Sequence, residues 1–92
     1  MAEKIIGVRI TGRVQGVAYR AWTRDEALRR NLCGWVRNRP DGAVEAVFAG
    51  LEQDVDNMID ACGQGPWAAR VDNVEIHEAD SSDIPKSFEI RF

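Results

Sequence analysis

Histidine, cysteine and long apolar runs are scarce in this chain, and each scarcity removes a class of function. His77 is the only histidine, which excludes a histidine-rich metal site. Cys33 and Cys62 are the only cysteines. Their spacing fits no metal module and two such residues make no disulfide scaffold, so both are expected as free thiols near element ends. No apolar run nears the roughly 20 residues of a membrane helix. The opening MAEKIIGVRI lacks the basic, apolar and small-residue stretches of an export signal. A cytoplasmic protein that does not engage membranes is the expectation.

Lysine is rare too, so the positive charge is mostly arginine, whose planar fork suits oxyanions. The formal net charge is -3, but residues 1–39 carry nine Lys/Arg against three Asp/Glu, and residues 40–92 carry three against twelve. An acidic chain is a poor general nucleic-acid binder, whereas a local basic site would attract a small anion. With 92 residues and 45% hydrophobic types, the chain has room for a real core and for one domain over 1–92.

Residues 5–11 alternate as a strand, with Ile6, Val8 and Ile10 on one face. GRVQGVAYR, residues 12–20, follows as a glycine-rich turn. Residues 20–32, RAWTRDEALRRNL, predict a helix with Thr23, Ala27 and Leu28 as core contacts, stopped by Gly34. WVRN is a short strand, RPDG a tight reversal, and AVEAVFA a returning strand with Val44, Ala46 and Phe48 on one face. Leu51, Val55, Met58, Ile59 and Cys62 form one apolar stripe at helical spacing, ended by Gly63, Gly65 and Pro66. Residues 70–78 alternate again with Val74 and Ile76 inward, and Phe88, Ile90 and Phe92 mark a short last strand.

The order is β-α-β-β-α-β with a short extra C-terminal strand. It predicts an α+β, two-layer ferredoxin-like sandwich: a mainly antiparallel sheet with both helices on one face. In that path the glycine-rich turn, the start of the first helix and the far end of the second strand share one edge of the sheet. Cys33 and Cys62 fall at opposite edges, too far apart for a disulfide.

The strand-to-helix turn is either a plain connection or a seat for an anion. Backbone N–H groups of such a turn, with the positive end of the following helix, suit phosphate or carboxylate. Gly12 and Gly16 ease the path. Arg20 at the first helical turn opposes the helix dipole unless an anion compensates it. It could fork over that anion with two hydrogen bonds. Asn38, poorly suited to a strand, either caps the RPDG turn with its side chain or holds a water or a substrate oxygen. The turn is no nucleotide phosphate loop, because no Lys-Ser/Thr pair follows its glycines, and its glycine spacing is not that of a dinucleotide fold.

Other residues read as structural. Arg24, Arg29 and Arg30 are solvated, Asp25 and Glu26 suit early helical turns, and His77 lies on the open sheet face. Trp22, Trp35 and Trp67 are packing or face-covering residues, although Trp35 with Arg37 and Arg39 would also make an RNA-binding patch. Against that patch stands AVEAVFA, which lacks the paired aromatics of RNA-binding sheets.

GRVQGVAYR with the following Ala21, GWVRNRPDGAVE, FAG, GPWAARVDNVEI and FEIRF, in that order, resemble acylphosphatase over residues 7–92. The resemblance implies hydrolysis of the carboxyl–phosphate bond of acyl phosphates to a carboxylate and inorganic phosphate, without metal or other cofactor. It puts the substrate-binding arginine at Arg20 and the water-orienting asparagine at Asn38. It puts the phosphate cradle on the backbone of Val14, Gln15, Gly16, Val17, Ala18 and Tyr19. Ala18, Tyr19 and Arg39 depart mildly from residues common in the family. A monomer acting on a small molecule, with no nucleic-acid partner, is expected. A non-catalytic anion sensor on the same scaffold is the rival reading.

Overall fold

The computed structural model describes residues 3–92. Its elements are β1 (Glu3–Arg13), α1 (Tyr19–Arg29), β2 (Cys33–Asn38), β3 (Val44–Leu51), α2 (Glu52–Gln64), β4 (Arg70–His77) and β5 (Phe88–Arg91), with a single 3-10 turn at Ser81–Asp83. The sheet order is β4-β1-β3-β2-β5. β1 is antiparallel to β3 and β4, β2 is antiparallel to β3, and β5 runs parallel to β2 at the edge. The expected ferredoxin-like order is present, with its extra strand.

Alternation builds the core as read. Val8, Ile10, Val36, Val44, Ala46 and Phe48 of the sheet are buried beneath Tyr19, Thr23 and Ala27 of α1 and Val55, Met58 and Cys62 of α2. Ile6 pairs with Phe48, Val8 with Ala46 and Ile10 with Val44, so each inward residue of β1 faces one of β3. Phe88 stacks on Phe48 with ring centroids 5.5 Å apart, which fastens β5 to the core. Thr23 is buried because its hydroxyl donates to the Tyr19 carbonyl at 2.8 Å.

Several expectations are corrected at the edges of this core. Leu28 in the last turn of α1, Leu51 at the end of β3, Ile76 on the edge strand β4 and Phe92 just past β5 are exposed. Trp67, expected to pack, is exposed on the loop before β4. His77 is half-buried on the open face, with its ring over Gly7. Gly12 belongs to β1, at a bulge against β4. Gly63 lies inside α2, which ends with Gly65 donating to the Ala61 carbonyl at 2.9 Å.

Gly34 does not stop α1. Asn31, at φ 59°, does so: its N–H bonds the Leu28 carbonyl and the Leu32 N–H bonds the Ala27 carbonyl, a left-handed helix cap. Gly34 lies within β2 at φ 139°, where an added Cβ would run into the Val47 carbonyl. Gly34→Ala therefore combines backbone strain with a clash against backbone that cannot turn aside. It is expected to destabilise the fold by about 3 kcal/mol or more, read by urea unfolding.

The cysteines are free, with Cys33 half-buried at the start of β2 and Cys62 buried in α2. Burial pushes the Cys62 thiol up to about 12. A thiol titration at neutral pH is expected to register Cys33 in the native protein and Cys62 only after unfolding.

Candidate active site

The β1–α1 turn and the end of β2 meet at one edge of the sheet, as the path of the chain requires. They line a pocket of about 200 Å³ with Val14, Gly16, Ala18, Tyr19, Arg20, Ala21, Asn38, Ile90 and Phe92. The turn is bent by Gly16 at φ 74° and Ala18 at φ 62°, ψ 25°. A left-handed alanine costs roughly 1 kcal/mol or more. Ala18 is the residue before α1, and no side chain caps the helix there. The first N–H groups of a helix have no partner within it, so the positive end of α1 opens at the pocket.

Arg20 is half-buried on that first turn, its guanidinium carbon 5.0 Å from the centre of the Phe92 ring. Eight of the ten arginines form ion pairs among the described residues; Arg13 and Arg20 do not. Arg24 pairs with Asp25, and both Arg29 and Arg30 pair with Glu26. Glu26 thus serves two arginines rather than the helix dipole, and they hold its carboxyl below the usual carboxylate range. Arg39 inclines toward Glu45 at 3.8 Å and does not line the pocket.

Asn38 forms the last rung of the β2–β3 ladder, opposite Val44. Its side-chain Oδ1 is buried and has no hydrogen-bond partner among the described residues. The turn cap, one of the two roles open to Asn38 in the sequence, comes from Asp41, whose Oδ1 accepts from the Ala43 N–H at 3.0 Å. A buried carbonyl oxygen with no partner is uncommon, because desolvating it costs about 1–3 kcal/mol. Asn38 itself lines the pocket, and this unpartnered oxygen keeps its lone pairs free.

Of the sequence-predicted residues, Val14, Gly16, Ala18, Tyr19, Arg20 and Asn38 line the pocket, and Gln15 and Val17 do not. Val17 packs against the core. The Gln15 side chain turns to the β2–β3 connection, where Nε2 donates to the Arg39 and Ala43 carbonyls, each at 2.8 Å. Tyr19 is buried and its hydroxyl donates to the Cys62 carbonyl at 2.7 Å, tying the start of α1 to the end of α2. Burial pushes its phenol far above the ordinary range. Ala21, Ile90 and Phe92 were not singled out for the site by sequence. Ile90 and Phe92 read there only as strand residues, and no spacing marks a C-terminal strand as a pocket wall.

Trp35 is buried on the other sheet face, with the guanidinium groups of Arg37 and Arg91 4.9 and 5.2 Å from its ring centre. This is the face-covering role read from sequence; Arg39, the third member of the alternative patch, inclines toward Glu45, and the ring is covered rather than offered to bases.

The acylphosphatase family profile matches residues 6–90. An acylphosphatase from Rhizobium etli is 48% identical over 88 residues, covering 96% of this chain and 94% of that one. The acylphosphatase structure from Coxiella burnetii superposes with a TM-score of 0.90 at 35% identity, over 97% of this chain and 93% of that chain. The acylphosphatase structure from Bacillus subtilis gives 0.89 at 33%, over 96% and 98%. With sequence and fold in agreement along nearly its whole length, the chain belongs to the acylphosphatase family and hydrolyses the carboxyl–phosphate bond of acyl phosphates to a carboxylate and inorganic phosphate.

Proposed function

We propose that Arg20 and Asn38 carry this reaction on a cradle made by the backbone of Val14, Gln15, Gly16, Val17, Ala18 and Tyr19. The cradle amides and the guanidinium fork bind the phosphoryl oxygens. Asn38 Oδ1 accepts a hydrogen bond from the attacking water. The water oxygen bonds to phosphorus as the bond to the acyl oxygen breaks, the carboxylate leaves with that electron pair, and the water's proton passes to a phosphoryl oxygen.

Physical chemistry favours so sparse a site. A carboxylate is a weak base and a good leaving group, so little general-acid help is needed. Positioning and stabilisation of charge on the transferring group suffice. The observation that carries the reading is that Asn38, whose buried Oδ1 has no partner among the described residues, lines the same pocket as Arg20, which forms no ion pair among them. The reading extends to a single domain over residues 1–92, acting as a cytoplasmic monomer on a small acyl phosphate, without metal, nucleic acid or membrane.

Titration with inorganic phosphate tests it. Amide resonances of residues 14–20 and the Asn38 side chain are expected to shift together, and phosphate is expected to compete with benzoyl phosphate. Shifts confined to another surface would overturn the assignment.

A further inference from the structure

The β1–β3 ladder runs from Glu3 opposite Leu51 to Ile10 opposite Val44, and the β2–β3 ladder ends at Asn38 opposite Val44. Beyond Val44, no rung of β1 with β3 joins the β1–α1 turn to the β2–β3 connection. The two nevertheless have to keep a fixed separation, because one carries the cradle and the other follows Asn38. Gln15 spans that gap. Its Nε2 donates to the Arg39 carbonyl and to the Ala43 carbonyl, 24 and 28 residues away along the chain, at 2.8 Å each.

We infer that the Gln15 carboxamide is a positioning residue, which sets the cradle at the distance and angle from Asn38 that in-line attack requires. The inference rests on the site proposed above. Both hydrogens of the amide are used, and the group has only one workable orientation. Turned over, its oxygen would face two carbonyl oxygens.

The connection does not depend on Gln15 to form. The Arg39 carbonyl already accepts the Gly42 N–H at 3.1 Å, and the Ala43 carbonyl already accepts the Arg39 N–H at 2.8 Å. Each carbonyl therefore keeps a partner when the side chain is removed. The expected consequence falls on alignment: the cradle can still close on phosphate by itself, but water and phosphorus come from parts of the chain that are no longer fastened together. A misplacement near 1 Å costs about 100-fold in rate.

Two variants and the wild type test the tether. Gln15→Met keeps the length and loses both donors. Its kcat for benzoyl phosphate is expected to fall by roughly 10- to 100-fold, with KM and the phosphate inhibition constant within about threefold of wild type. Gln15→Glu opposes a carboxylate to two carbonyls at neutral pH. Once protonated, its O–H donates to one of them. The two facing carbonyls disfavour its charged form, so the ratio of its kcat to the wild-type kcat is expected to climb as pH falls toward about 5, while the Gln15→Met ratio stays flat. In wild type, the Gln15 carboxamide protons should exchange slowly with solvent, a measurement that needs no variant to fold.

A Gln15→Met enzyme within about twofold of wild-type kcat would overturn the inference. So would losses confined to KM, a flat Gln15→Glu ratio, or carboxamide exchange at the rate of a free amide. A wild type whose turnover phosphate does not inhibit defeats the proposed site and the tether with it. An active, phosphate-inhibited wild type matched by Gln15→Met defeats the tether alone.

Discussion

Arg20→Lys is expected to lower kcat/KM for benzoyl phosphate by about 1,000-fold or more, a loss of the size seen when a cationic clamp on a transferring phosphoryl group is removed. Lysine keeps the charge, so the comparison isolates shape. A guanidinium presents two parallel N–H donors to two oxygens of one phosphoryl group, whereas an ammonium is a point charge on a flexible stem. Arg20 has no carboxylate partner among the described residues, and the surface that steadies it is the Phe92 ring. Its cost is electrostatic: a cation in the first turn of α1 works against the helix dipole by about 0.3–1 kcal/mol. Arg20→Ala should therefore lose activity at least as severely while keeping wild-type stability within about 1 kcal/mol. That outcome would mark Arg20 as a residue kept, against the resting helix, for its ligand. Wild-type kinetics in Arg20→Lys would remove the fork from the mechanism.

Asn38→Ala is expected to lower kcat by ~100-fold or more and to change KM little, the pattern of a group that acts at the transition state and not in substrate binding. The basis is division of labour along one pocket wall. In the proposed mechanism, phosphate binding belongs to the β1–α1 turn and Arg20, on one side. Asn38 comes from the end of β2, and its buried oxygen accepts nothing from the described residues. Truncation removes the acceptor for the water and leaves the anion seat in place. Inhibition by inorganic phosphate should thus remain near the wild-type value. An unchanged kcat, or a rise in KM alone, would reassign Asn38 to substrate binding or to the turn.

Strand faces were legible in the sequence because alternation is a direct image of a half-buried sheet: Ile6, Val8 and Ile10 meet Phe48, Ala46 and Val44 as their parity requires. The meeting of the glycine-rich turn with Asn38 was legible too, since the direction of each element follows from their order. What failed was local chemistry with two meanings. A glycine after a helical run reads as a stop, but Gly34 sits in a strand against the Val47 carbonyl, and Asn31 is the residue that takes the left-handed turn. Asn38 beside RPDG had two roles open, and Asp41 fills one of them. The side-chain bonds of Gln15 left no mark because their acceptors are backbone carbonyls, which every residue has. Ile76, Trp67 and Phe92 share a different cause: apolar type says that burial is favourable, not that an element is there to provide it.

The most direct test is a crystal structure with a tetrahedral oxyanion such as phosphate bound. The expected result is an anion ringed by the amides of residues 14–19 and gripped by both arms of Arg20, with an ordered water between it and Asn38 Oδ1. An anion bound at another surface, or one seated in the turn while the asparagine oxygen bonds elsewhere, would contradict the mechanism.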